Sequence, residues 1–415
     1  MTEPKGTRDY EPDVAAKKEH IVEQITSVLD SFGYVPIDTP VIESREILTS
    51  KFTGGEEILK EMYSLTDQGK RKLGLRYDLT VPFGRFMAEH PEYKMPFRRR
   101  QVGKVFRDGP VKAGRYREFH QYDFDIVGEE GPEAEAELLA IIRTVLENLD
   151  LNPTIQVNSR DVLTAVISAQ DIQIPVNSAI LTLDKIEKKG REGVIEELKD
   201  KGVAEEKTLS LIETLSVSGT NEEKLEALKS FGTFDTLQTL VTLTESYGCE
   251  WTFNPFLARG LTYYTGTVFE AFDKSSGVTS SLSAGGRYDS MIGNLASYEA
   301  VAVGGSFGVD TLLDATETTR GVHDTDLFVI PLAPLPKIIE IVQTLRKEGI
   351  NVVIGSSSKH FRKNLDYADK EGFGYLLVIG DEEITSGEYE VKDLQTGDTK
   401  QGTLEEIPQH IHTGF

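Results

Sequence analysis

The sequence predicts an α+β fold built in separable parts, on three observations. Residues 101–128 read as two strands joined by a short loop, with helical sequence on either side. From about residue 170 to 245 the chain is rich in lysine, glutamate and leucine and keeps helical periodicity throughout. Beyond residue 325 strands and helices alternate as βαβαβ, the pattern of an α/β unit with a mainly parallel sheet. The expected organisation is a core of residues 1–170 and 246–318, a helical insertion at 171–245 and a C-terminal α/β domain at 325–415.

The elements follow in order. Ile21, Ile25, Val28, Leu29 and Phe32 are spaced as one helix face, predicting a helix over 17–32 that Gly33 ends. YVPIDTPVIE is extended and RKLGLR (71–76) is a strand. Asp78 and Thr80 stand just before Pro82, a helix-start pattern. QVGKVFR and RYREFHQYDFDIVG are the two strands around the 108–114 loop, and residues 133–150 form a helix. Strand-like sequence returns at 253–272 and 280–293, and VAVGGSFGVDTLLDA passes from strand to helix. Residues 316–325 read as a polar linker, and Thr396-Gly397-Asp398 as the turn of a closing hairpin.

Hydrophobic residues at 39% and charged residues at 27% fit a soluble globular protein of two or three domains. The N-terminus MTEPKGTRDYEPD is too polar for a signal peptide, and no apolar run reaches membrane-span length, so a cytoplasmic location is expected. A single cysteine, Cys249, excludes an intrachain disulfide and a multi-cysteine zinc site. The net charge of −23 argues against nonspecific nucleic-acid binding but leaves room for local basic patches, at 94–104 and 359–363. No GxGxxG or Walker A pattern marks the C-terminal strand–helix junctions.

Three constellations carry chemistry. In GRYREFHQYDFDIVG, period-two alternation puts Arg115, Arg117, Gln121 and Asp125 on one sheet face. Gln121 and Asp125 stand about 13 Å apart along an ideal strand, a span for a small zwitterion; cross-strand ion pairs on a wet face are the other reading. Arg107, beside a glycine-containing loop, suits a phosphate. Arg259 lies in apolar sequence before Tyr263-Tyr264, so it needs either an internal carboxylate or an anionic ligand. SAGGRYD sets two glycines before Arg287 and Tyr288, which fits close backbone approach or an ordinary turn.

Taken together, KGTRDY, LRYDLTVPF, VFRDGP…AGRYREFHQYDFDIVG, LARGLTYYTG, SAGGRYD and GGSFGVD resemble, in order, the segments of histidyl-tRNA synthetases, and YADKEGFGYLLVIGDEE resembles their anticodon-binding domain. The resemblance implies a class II synthetase core, an antiparallel sheet flanked by helices, assembled as a homodimer. It implies ligation of L-histidine to tRNA(His) through a histidyl-adenylate, with ATP as substrate and Mg²⁺ accompanying it; no dedicated protein metal cage is visible. Asp78 takes the position of the acidic residue that holds the α-amine, assisted by Thr80 and Gln121. Asp125 and Tyr264 take the positions that read the imidazole, next to Tyr263. Arg259 matches the catalytic arginine on the substrate carboxylate and α-phosphate, Arg107 the arginine on the α-phosphate, and Arg115 a further ATP contact.

The chain departs from the family pattern at three places. Thr311 stands where an arginine meets the γ-phosphate, Gly109 where a glutamate approaches the adenine, and Thr262 where RGLDYY has aspartate. Arg287 and Asp108 are the candidate stand-ins for the first two. The alternative reading is a synthetase-like paralogue that senses histidine, of the kind that regulates ATP phosphoribosyltransferase; such paralogues generally lack the anticodon-binding domain.

Overall fold

The computed structural model describes residues 2–50, 59–111, 114–259, 263–296, 298–317, 322–323 and 326–412. Thr262, most of the 316–325 linker and part of the 108–114 loop lie outside them. The chain divides into two compact units, residues 1–9 with 18–318, and residues 10–17 with 319–415.

The opening helix runs Pro12–Ser31, starting earlier than expected because Pro12 and Asp13 make a favourable first turn. Ile21, Ile25, Val28 and Leu29 are its buried face. The strands of the first unit are β1 (Val35–Pro36), β2 (Ile42–Ser44), β3 (Ser64–Thr66), β4 (Lys72–Leu75), β5 (Phe97–Phe106), β6 (Glu118–Val127), β7 (Thr154–Ser159), β8 (Thr252–Phe253), β9 (Thr267–Phe272), β10 (Ser283–Arg287) and β11 (Ala302–Gly308). Eight of them form one sheet in the order β1-β5-β6-β11-β10-β9-β7-β8. Its central pairings are antiparallel, and only the outer pairs β1–β5 and β7–β8 are parallel. A three-stranded sheet, β2-β4-β3, accompanies it.

The register decides which side chains meet. Across β5 and β6, Arg99 faces Asp125, Gln101 faces Asp123 and Gly103 faces Gln121, so all of these but the glycine put polar groups on one face. The even positions Tyr122, Phe124 and Ile126 fill the other face, where Phe124 stacks on Phe307 with centroids 5.1 Å apart and meets Tyr34 edge-on at 6.4 Å. The strand begins at Glu118, not at Arg115, so the face assignment does not extend to Arg115 and Arg117. There the backbone is taken by other partners: the Arg117 N–H donates to Gly6 O at 2.8 Å, and the Arg107 N–H to Arg117 O at 2.9 Å. The 94–104 patch is likewise not a patch. Arg98 pairs with Glu137, Arg100 with Asp30, and Arg99 is wholly buried, because β5 sends alternate residues to opposite faces.

Residues 253–272 hold two strands rather than one, because Pro255 and Gly266 interrupt the ladder between β8 and β9. The lysine- and glutamate-rich segment is helical as expected: Val176–Leu183, Ile186–Asp200, Glu205–Leu215, Asn221–Ala227 and Asp235–Ser246.

The second unit adds β12 (Leu327–Pro331), β13 (Val352–Ile354), β14 (Tyr375–Ile379), β15 (Glu388–Asp393) and β16 (Thr399–Thr403). Their order is β13-β12-β14-β15-β16. The first three strands are parallel, and the closing hairpin extends the sheet in antiparallel fashion. Gly397, at φ 84°, sits in the hairpin turn, where a left-handed residue is required. Leu327, Val329, Ile338, Val342, Leu377 and Val391 are core residues of this unit.

Phe124 lies directly behind the polar face, so Phe124→Ala should cost about 3–5 kcal/mol in reversible chemical denaturation. A loss under ~1 kcal/mol would mean that the sheet does not depend on this contact.

Candidate active site

A cavity of about 740 Å³ opens over the polar face of the large sheet. Asp78, Thr80, Arg107, Gln121, Asp125, Arg259, Tyr263 and Tyr264 all line it. Segments from Asp78 to Tyr264 therefore converge, and the only member of the sequence-predicted set outside this wall is Arg115. Arg115 lines an adjoining recess of about 380 Å³, which shares Arg107, Gln121 and Gly308 with the main cavity. It is exposed and paired there with Glu61 at 2.6 Å.

Asp78 and Asp125 supply carboxylates to the wall. Asp78 precedes helix Thr80–Glu89, and its Oδ1 accepts from the Val81 N–H at 3.0 Å, which fixes the carboxylate at the helix start. Its Oδ2 is buried with no partner among the described residues. Burial raises its pKa to about 7, with the Val81 bond and Arg107 opposing and Asp123 adding to the shift. Asp125 is also buried, and its pKa is likewise raised to about 7, first by desolvation and against the pull of Arg99. Arg99 Nη2 stands 2.6 Å from Asp125 Oδ2 and 3.7 Å from Asp123 Oδ2, with its guanidinium 4.3 Å from the centroid of the Phe83 ring. The Tyr288 hydroxyl donates to Asp125 Oδ1. Gln121 Nε2 donates to Ser306 Oγ at 3.0 Å, and Thr80 Oγ1 to Asp123 Oδ2 at 3.3 Å.

Arg107 and Arg259 supply guanidiniums to the same wall. Arg107 is held by its Nε donating to Tyr77 O at 3.0 Å and lies 5.2 Å from the Phe119 ring centroid. Arg259 is paired with Glu270 yet still lines the cavity. Burial alone would depress its guanidinium, but Glu270 drives the pKa upward, so it remains a cation. Tyr263 and Tyr264 pack with centroids 4.6 Å apart, and burial raises both phenols, which stay neutral. Asp78 Oδ2, Gln121 Oε1 and Arg259 Nε are buried without a hydrogen-bond partner among the described residues, and all three residues line the cavity. Each such atom costs about 1–3 kcal/mol unless a ligand satisfies it.

Backbone approach shapes the floor. Gly304 pairs with Asp125 across β11 and β6, and a Cβ there would collide with the Asp125 carboxylate. The glycines of SAGGR face Gly304 and Gly305 across the ladder.

The two candidate stand-ins are committed elsewhere. Arg287 forms a two-pronged pair with Glu135 at 2.7 and 2.6 Å and lines neither recess. Asp108 pairs with Arg117 at 3.1 Å, whereas Glu61 is the side chain beside Gly109. Next to Thr311 in the smaller recess, Asp310 is bound by Arg8 at 2.8 Å. Arg99, Tyr288, Glu270 and Asp184 were not among the expected site residues. Arg99 is placed by its register opposite Asp125, which neither strand shows on its own; Glu270 and Asp184 are likewise brought in from other segments.

Residues 6–312 match the family model described as "Histidyl-tRNA synthetase", and residues 326–413 match "Anticodon binding domain". Histidine–tRNA ligase 2 of Shouchella clausii is 40% identical over 407 residues, covering 95% of this chain and 96% of the relative. Histidine–tRNA ligase 1 of Bacillus anthracis is 38% identical over 422 residues, covering 98% and 99%. The crystal structure of histidyl-tRNA synthetase from Nostoc sp. PCC 7120 superposes with a TM-score of 0.87 at 26% identity, covering 100% of this chain and 99% of that one.

Asp78→Asn keeps an oxygen for the Val81 N–H and removes a buried charge. With its pKa raised from 3.8 to about 7, Asp78 contributes stability that is complete below the unfolded value and is lost as pH rises through 7. The variant should therefore exceed the parent by ~1–4 kcal/mol at pH 8, and the gap should narrow steadily toward pH 4. A gap that does not change with pH would refute the assignment.

Proposed function

The chain belongs to the histidyl-tRNA synthetase family, and from that premise we propose that the cavity activates histidine with ATP for transfer to tRNA. The chain is a class II histidine–tRNA ligase, and ATP is a substrate. The observation that carries the reading is a single cavity whose wall holds the carboxylates of Asp78 and Asp125 together with the guanidiniums of Arg107 and Arg259.

In this assignment Asp78 holds the α-ammonium of histidine with help from Thr80 and Gln121. Asp125 accepts from one imidazole N–H, and Tyr264 meets the other ring nitrogen, with Tyr263 packed beside it. A side chain unable to pair with both leaves buried polar groups unsatisfied, which is the strongest form of discrimination open to a site of this kind. Arg259 and Arg107 hold the histidine carboxylate and the α-phosphate in line. A carboxylate oxygen attacks the α-phosphorus, the bond from phosphorus to the bridging oxygen breaks, and pyrophosphate leaves with the electron pair. In the second step a hydroxyl of the 3′-terminal ribose of tRNA attacks the acyl carbon and AMP leaves. The protein's task is positioning and charge stabilisation, not covalent chemistry. Arg115 is assigned to the remainder of ATP from the adjoining recess. No cluster of three or more His, Cys, Asp or Glu suited to a metal is found among the described residues, so Mg²⁺ is assigned to the ATP phosphates, where it keeps much of its water. A homodimer and a cytoplasmic location complete the reading; no helix among the described residues is long and apolar enough to cross a membrane.

Histidine-dependent exchange of labelled pyrophosphate into ATP tests this directly. The purified chain should exchange, and Arg259→Ala or Arg107→Ala should lower the rate on the order of 10²-fold or more. Histidine binding without exchange would instead support the sensor reading.

In the second unit Lys359, Arg362 and Lys363 are exposed at the start of helix Phe361–Lys370. Reversing their charge should raise the KM for tRNA in aminoacylation and leave pyrophosphate exchange unchanged. An unaltered KM would remove this surface from the tRNA path.

A further inference from the structure

Asp184 lines the cavity wall and has no role in the scheme above. It is half-buried, in the short turn between helices Val176–Leu183 and Ile186–Asp200. Its carboxylate is engaged by a segment far along the chain. Asp184 Oδ1 accepts from two consecutive main-chain N–H groups, Ala258 at 3.3 Å and Arg259 at 2.9 Å.

Those amides belong to an unusual backbone. Arg259 has φ 61°, a left-handed conformation that a residue with a Cβ avoids unless its surroundings over-determine it. The residue is gripped at both ends by carboxylates, its N–H by Asp184 and its guanidinium by Glu270. Asp184 itself is strained electrostatically: burial and then Glu270 raise its pKa, while the two amides and Arg259 oppose the shift.

We propose that Asp184 is the positioning residue for Arg259. By accepting both N–H groups it fixes the left-handed backbone from which the guanidinium enters the cavity, and it ties the helical segment to the reacting centre. Without that acceptor the backbone relaxes toward negative φ, which redirects the Cα–Cβ bond and draws the guanidinium away from the α-phosphate. The inference rests on the ligase reading above.

The test uses the full chain in the pyrophosphate-exchange assay, with kcat and the KM values for histidine and ATP measured separately. Asp184→Asn retains an oxygen that can accept from both amides, whereas Asp184→Ala does not. Expected is a loss of ~10- to 100-fold in kcat for D184A, with both KM values within about threefold. D184N should stay within about threefold of the parent in kcat. Because Asp184 acts only through Arg259, adding D184A to R259A should produce no further loss. Thermal unfolding of each variant separates these effects from misfolding. Wild-type kcat in D184A overturns the inference, as does D184N impaired as deeply as D184A, or an additive loss in the double variant. No exchange by the parent chain overturns the ligase reading and the inference with it, a result distinct from an active parent and an unaffected D184A.

Discussion

A fully buried guanidinium on the large sheet's polar face is the interaction on which the site depends. Arg99 is inserted between the Phe83 ring and the carboxylates of Asp123 and Asp125, at 4.3, 3.7 and 2.6 Å. Asp78, Asp123 and Asp125 are all buried, and desolvation raises each of their pKa values. Three neighbouring acids would simply protonate if nothing opposed them, and a protonated acid is a poor acceptor for an ammonium or imidazole N–H. Arg99 supplies the opposing charge. An arginine suits the place because it cannot lose its proton at any ordinary pH and its plane packs on an aromatic face.

The same interaction leaves both signs of charge on the cavity wall. Arg99 is committed to Asp125 and Asp123 and does not line the cavity, whereas the carboxylates of Asp78 and Asp125 do. Arg107 and Arg259, anchored by Tyr77 O and Glu270, supply positive charge to the same wall. Tyr288 steadies Asp125 from a third direction, and Gly304 leaves the carboxylate room to lie flat against the sheet. Substituting Arg99, Asp125 or Tyr288 disturbs the other two, since Asp125 is held by both.

Much of this was legible in the sequence wherever one segment carried the whole signal. Alternation in the β6 segment gave Gln121 and Asp125 a shared face, and helical spacing located both the opening helix and the inserted helices. The legible part ended where partners come from distant segments. Arg99 sat in a run of three arginines that read as a surface patch, and only its registry opposite Asp125 shows that it is internal. Arg115 and Arg117 looked like a continuation of the strand, yet Gly6 and Arg107 capture the backbone there. Asp184 carried no local signal at all, because its partners are amides some seventy residues away.

The departures at positions 109 and 311 take on a different meaning in three dimensions. Read along the chain, Gly109 is a missing glutamate. In the fold, the Glu61 carboxylate lies where a side chain at 109 would begin, with its Oε1 2.6 Å from that Cβ position. Glu61 is itself tied in, with its carboxylate on Arg115 and its carbonyl accepting from the Asp108 N–H at 2.7 Å. Glycine at 109 and glutamate at 61 therefore require each other: a larger residue at 109 would expel Glu61 and release Arg115. An acid is present beside this loop, brought from another segment. Thr311 shares the smaller recess with Arg107 and Arg115, while its neighbour Asp310 is bound by Arg8, which covers the Tyr116 ring at 4.3 Å. The two positions thus differ in their surroundings. A carboxylate from another segment lies beside Gly109, and two arginines line the recess that holds Thr311.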